Sequence, residues 1–313
     1  MMSVECKGCG LELTDDEIGK QEELCGHCML EEIAEGGEMS VKEISVGLSG
    51  TIPSGAYENL KPSYNMVIDI APGDDPQKAF NKARAILRDM FELEVNRAKV
   101  DLIDKQYGNI RFYEKDGKKY PSVTSILGWD KDWKISEDQL NQYGSRGTIV
   151  HKLIEMYLID GIWMNPEEMP ELAEDVAIVL GGSLGLHWDD CSHEAFFEAH
   201  GKDIVIDEME VEVINTEVGY GGRFDAVGTY KDKPAIFDWK TGSVHDFRQL
   251  SAYATAWYKA TDTALPIETL VIAPVGKTDN KSRFMKAKVS STLEGEFKAF
   301  LDARKKFKMR FGI

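Results

Sequence analysis

The chain is 313 residues long, 42% hydrophobic, and carries a formal net charge of −17. That length supplies a sizeable core and about two domains, and no apolar run approaches the roughly 20 residues of a membrane-spanning helix. The acid excess excludes a surface that attracts phosphate everywhere, although a local basic face can still grip a polyanion.

The segment 1–39 carries Cys6-Lys-Gly-Cys9 and Cys25-Gly-His-Cys28. Two such knuckles can bring four thiolates into a tetrahedron around Zn²⁺. The ion would replace a core that so short a segment cannot build. His27 lies inside the second knuckle as a bystander. Eleven acidic residues against two lysines over 1–40 suit a protein partner or structural capping better than nucleic acid. The start, MMSVECKGCG, lacks a signal-peptide core, and paired cysteines fit metal binding in a reducing compartment, so a soluble cytoplasmic protein is expected.

Residues 40–105 read as a small β–β–α unit. Strands are predicted over 41–52 and 64–70, with Pro53-Ser54-Gly55 as a turn. Asp74-Asp75-Pro76 caps a helix that runs to about Glu94, followed by a helical or irregular connector over 95–105. The unit suits packing, dimerisation or a protein partner. The alternative is a platform for single-stranded nucleic acid, using Tyr57 and Tyr64.

From Gly108 a third region begins. Lys115-Asp116-Gly117-Lys118 predicts a hairpin over 110–120, and Ser122 or Thr124 starts a short helix. Ser136 with Gln139 forms a capping box. The helix it opens is predicted to break at Gly144-Ser145-Arg146-Gly147 and resume from Thr148 to Ile159, with His151 and Glu155 on one face. The stretch 170–186 reads as helix and contains Gly181-Gly182-Ser183-Leu184-Gly185. That pattern matches a nucleophile elbow, but no strand ladder precedes it and no clear helix follows, which disfavours a serine hydrolase. His187, Cys191, His193 and His200 fit no metal-ligand spacing.

A strand over 204–214 leads through a turn at Gly219–Gly222 into a second strand bearing Asp225. The turn Lys231-Asp232-Lys233-Pro234 folds a third strand back beside it. Side chains alternate along a strand, so Asp238 and Lys240 share a side and Trp239 points away. Two adjacent carboxylates repel unless a cation lies between them, and Mg²⁺ takes oxygen ligands while keeping several waters. A bound ion acidifies water for attack on a phosphodiester. Lys240 would orient or deprotonate that water, or offset charge on the phosphoryl oxygens. A helix over 246–260 carries Gln249 and Tyr253 four residues apart. Strands over 270–274 and 283–289 and a basic helix over 293–311 complete the chain. Residues 277–313 hold eleven basic against four acidic residues, a basic face available for DNA.

The ordered set of His151, Asp225, Asp238-Trp239-Lys240 and Gln249-x-x-x-Tyr253 resembles the RecB-like branch of the PD-(D/E)xK nucleases. Tyr120–Leu127 and Arg146–His151 extend the likeness to phage and mitochondrial-maintenance exonucleases of that branch. The resemblance implies an α/β, restriction-endonuclease-like core over 106–313: a central mixed sheet flanked by helices, behind the zinc segment and the β–β–α unit. It implies a Mg²⁺- or Mn²⁺-dependent DNA exonuclease of recombination, repair or genome processing, in bacteria or phage-infected cells. The ion would be held by His151, Asp225, Asp238 and the Trp239 carbonyl. Lys240 would be the catalytic lysine, and Gln249 and Tyr253 would shape the site or touch the substrate backbone. Glu210 matches an acidic position before the first Asp, although Glu208 and Glu212 share its face. A silent scaffold keeping the fold is the alternative. The intact acids and lysine argue against it.

Overall fold

The computed structural model describes residues 2–5, 12–13, 41–53, 59–71, 73–108, 110–131, 135–242, 246–260, 266–276 and 288–313. Cys6, Cys9, Cys25, Cys28, Tyr57 and most of the strand expected over 283–289 lie outside the described residues. The chain divides into two compact units. One comprises Met1–Asn109, Glu114–Lys119 and Phe311–Ile313, and the other Ile110–Tyr113 and Tyr120–Arg310.

The first unit contains β1 (Met2–Glu5), β2 (Glu12–Leu13), β3 (Glu43–Gly50), β4 (Ile52–Pro53), β5 (Asn59–Leu60), β6 (Ser63–Asp69) and α1 (Pro76–Tyr107). Its four-stranded sheet has the order β2-β1-β3-β6, antiparallel throughout. Ile44, Val46 and Leu48 alternate along β3 and bury with Ala83, Leu87 and Phe91 of α1. Asp75 caps α1 by accepting from the Gln77 amide at 2.9 Å. The helix continues through 95–105, where the sequence allows a helical or irregular connector, and ends at Gly108 with φ 61°. Tertiary anchors hold the extension. Asn96 donates to the Lys119 carbonyl and accepts from its amide at 2.9 and 2.7 Å, while Val100 and Ile103 are buried.

The chain then runs through β7 (Phe112–Lys115), β8 (Lys118–Pro121), α2 (Val123–Gly128), α3 (Glu137–Asp160), α4 (Ala173–Leu180), α5 (His193–His200), β9 (Ile204–Asn215), β10 (Tyr220–Tyr230), β11 (Lys233–Lys240), α6 (Phe247–Ala260), β12 (Thr269–Pro274), β13 (Lys288–Ser290) and α7 (Leu293–Phe311). The five-stranded sheet has the order β13-β12-β11-β10-β9. β11 and β12 are parallel and joined through α6, and the other neighbours are antiparallel. This is the expected mixed sheet flanked by helices. Ile149, Val150 and Leu153 of α3 bury with Phe237, Val271 and Ala273 of the sheet. No helix among the described residues is long and apolar enough to cross a membrane.

Three local expectations are corrected. α3 is continuous from Glu137 to Asp160, opened by the Ser136–Gln139 capping box. Gly144 and Gly147 do not break it, because the helix docks on the end of β11. Arg146 donates to the Thr241 carbonyl at 3.3 Å, and a Cβ at Gly147 would lie 3.4 Å from the Thr241 hydroxyl. Second, Gly221 and Gly222 belong to β10 and pair with Ile214 and Val213. Third, the stretch 170–186 is a short 3₁₀ turn, then α4, and the helix ends at Leu180. Ser183 is exposed, with Oγ 3.5 Å from Asp138, and forms no elbow.

Candidate metal centre

The turn between β10 and β11 is tight because Lys231 and Asp232 both adopt left-handed φ, 51° and 64°, as a two-residue hairpin requires. The β10–β11 ladder runs from Tyr230↔Lys233 to Ala226↔Phe237 and stops there. Asp225 and Asp238 are the next residue on each strand. On its other edge β11 stays paired with β12 as far as Lys240↔Pro274. Trp239 therefore points both backbone groups at the gap where the β10 ladder has ended. Its N–H donates to the Asp225 carboxylate, and its carbonyl accepts from His151 Nε2 at 2.7 Å. The other ring nitrogen, Nδ1, lies 3.4 Å from Asp225 Oδ1.

Both nitrogens of His151 thus face acceptors. Burial opposes a charge on the ring, but the Asp225 charge and contact, Asp238 and the Trp239 carbonyl outweigh it and raise the pKa to about 9. The two carboxylates are driven apart. Burial raises both, yet His151, the Trp239 amide and Lys240 carry Asp225 below its ordinary value. Asp238, only 3% exposed, ends above its ordinary value because burial and Asp225 outweigh Lys240. Lys240 Nζ lies 2.8 Å from Asp238 Oδ2. The contact is an ion pair, and Oδ2 is otherwise unpartnered. Burial opposes the Lys240 charge, but Asp238 and then Asp225 raise its pKa, so the amine stays protonated at neutral pH.

Lys240 Nζ donates to Gln249 Oε1 at 3.3 Å, and Gln249 Nε2 donates to the Tyr253 hydroxyl at 3.3 Å. Burial pushes the Tyr253 phenol up, so it stays neutral. Gly222 makes this chain of contacts possible. A Cβ there would fall 2.3 Å from the Tyr253 ring, so only glycine lets α6 lie so close to β10.

Glu210 lies on β9 with φ 53°, a left-handed conformation rare for a non-glycine residue. Among the described residues, ligand atoms of His151, Glu210 and Asp225 converge to within 4.8 Å of one another. Burial and then Asp225 raise the Glu210 pKa. Strand alternation gave Glu208, Glu210 and Glu212 one face, and the structure places Glu210 at the centre. The surrounding cleft is about 530 Å³. Arg111, Tyr113, Lys152 and Arg223 also line it, beyond the site residues expected from the sequence. The period of two that joined Lys240 to Asp238 also joins Arg223 to Asp225, and was the available signal.

The donor set suits a hard divalent cation: one imidazole, carboxylates and the Trp239 carbonyl, which lies outside the β10 ladder. No second cluster of three such groups occurs among the described residues. A family model of the PD-(D/E)XK nuclease superfamily matches residues 122–306. Comparison with curated proteins gives no significant match.

Proposed function

The chain belongs to the PD-(D/E)XK nuclease superfamily, and from that premise we propose that it is a Mg²⁺- or Mn²⁺-dependent nuclease hydrolysing phosphodiester bonds in DNA. One observation carries the reading: His151, Glu210 and Asp225 converge beside a buried Asp238 ion-paired to Lys240. His151, Asp225, Asp238 and the Trp239 carbonyl would hold the ion, with Glu210 as a further donor. When bound, the ion would acidify an attacking water and polarise the phosphoryl group.

The protein's own groups do the rest. Lys240 stays protonated, so it stabilises negative charge growing on the phosphoryl oxygens and does not act as the proton acceptor. Gln249 holds the ammonium in place, and Tyr253 holds Gln249. Asp225 braces the Trp239 amide, which fixes the direction of the neighbouring carbonyl.

The finer reading follows the resemblance to RecB-like exonucleases: action from DNA ends, in recombination, repair or genome processing, in the cytoplasm of a bacterium or phage-infected cell. Residues 106–313 would form the nuclease domain. Cys6, Cys9, Cys25 and Cys28 would hold a structural Zn²⁺ over 1–39, and that segment or 40–105 would dock a protein partner. Single- and double-stranded DNA, linear, end-blocked or circular, digested with Mg²⁺, Mn²⁺ or chelator tests this. Loss of free-ended substrate alone supports an exonuclease. Equal loss of circular substrate makes it an endonuclease, and no metal-dependent loss of any substrate leaves a silent scaffold.

A further inference from the structure

Besides His151, four cationic side chains line the cleft: Arg111, Lys152, Arg223 and Lys240. Lys240 is engaged by Asp238 and Lys152 by Glu155 at 2.9 Å. Arg223 Nε lies 3.0 Å from Glu210 Oε2. That last partner differs from the others, because Glu210 also converges on His151 and Asp225. One carboxylate, on a backbone held in a left-handed conformation, therefore serves two claimants: the guanidinium on one side and the cation position on the other. An oxygen drawn to a divalent ion leaves the carboxylate with less negative potential for Arg223. The Arg223 side chain is 58% exposed, so turning away from Glu210 uncovers little surface. It lies on β10 two residues before Asp225 and so on the same side of the strand.

We propose that Arg223 is a substrate-phosphate contact that Glu210 holds in reserve until a divalent ion binds. The inference rests on the nuclease reading and deepens it: the substrate strand is gripped beside the ion by a guanidinium whose fork matches phosphate oxygens. Ion and DNA then bind cooperatively, because the same carboxylate that accepts the ion releases the residue that accepts the phosphate. The cleft is kept from gripping DNA through Arg223 before it holds the ion.

The test measures binding of a short fluorescent oligonucleotide by anisotropy, in chelator and in Mg²⁺. The full chain carries Lys240→Met, which leaves the proposed ligands in place and slows turnover. Arg223→Gln is expected to weaken binding about tenfold in Mg²⁺ and to make the salt dependence shallower by about 0.7–0.9 in log–log slope, the share of one phosphate contact. It is expected to change little in chelator. Glu210→Gln is expected to tighten binding several-fold in chelator, and the gain should vanish in Glu210→Gln/Arg223→Gln. An Arg223→Gln effect equal in both conditions, or a Glu210→Gln gain that survives in the double variant, overturns the exchange. If no oligonucleotide binds in either condition, the nuclease reading itself falls.

Discussion

The proton on His151 should compete directly with the divalent ion. Nε2 donates to the Trp239 carbonyl and Nδ1 faces Asp225, and the pKa is raised to about 9. Metal ligation needs the neutral ring. At pH 7 roughly one site in a hundred is then deprotonated, which weakens apparent affinity about 100-fold, or about 2.7 kcal/mol at 1.36 kcal/mol per unit. Affinity for Mg²⁺ is expected to rise about tenfold per pH unit between pH 7 and 9 and then level off. Isothermal titration with Mg²⁺ in buffers of different ionisation enthalpy reads the proton count. At pH 7.5 the native protein should release one proton per ion more than His151→Gln, which binds more weakly and with a flatter pH profile. Equal proton release by the two proteins would refute the reasoning, because it would leave His151 out of the ligand set.

Further outcomes follow from the same geometry. Lys240→Ala is expected to lower kcat by about 10²–10³-fold, the loss typical of removing one transition-state charge partner, with Mg²⁺ affinity retained. Gly222→Ala should displace the Tyr253 ring that now fills the Cβ position, cutting activity while chemical denaturation reports a loss of about 1–3 kcal/mol, the usual cost of overpacking. His193 is buried, and burial lowers its pKa to about 4. A histidine kept neutral in the fold costs stability as pH falls from its unfolded value of 6.5 towards 4, up to roughly 3 kcal/mol. His193→Phe should remove part of that acid sensitivity, read as the melting temperature between pH 7 and 4.

Much of this was legible in the sequence because it depends on local pattern. Strand alternation placed Asp238 beside Lys240, the capping residues marked the start of α3, and the ends of α7 fell at Leu293 and Phe311. What escaped depends on tertiary contact. Gly144 and Gly147 read as a break, and only the Thr241 turn against α3 shows why the helix passes through them. Gly222 reads as a turn residue, and no local pattern shows that the Tyr253 ring blocks its Cβ position. Glu210 could not be separated from Glu208 and Glu212 by a period of two, because its distinguishing feature is a backbone angle. The free edge of Trp239 arises where one ladder stops and the other continues, and alternation alone carries no sign of that.

The most direct measurement is cleavage of linear DNA by the native protein in Mg²⁺, in excess chelator, and by Asp238→Asn in Mg²⁺. The centre predicts rapid loss of substrate in the first condition only, with Asp238→Asn still folded by circular dichroism. Degradation that continues in chelator, or that Asp238→Asn performs at the native rate, would place the chemistry elsewhere in the molecule.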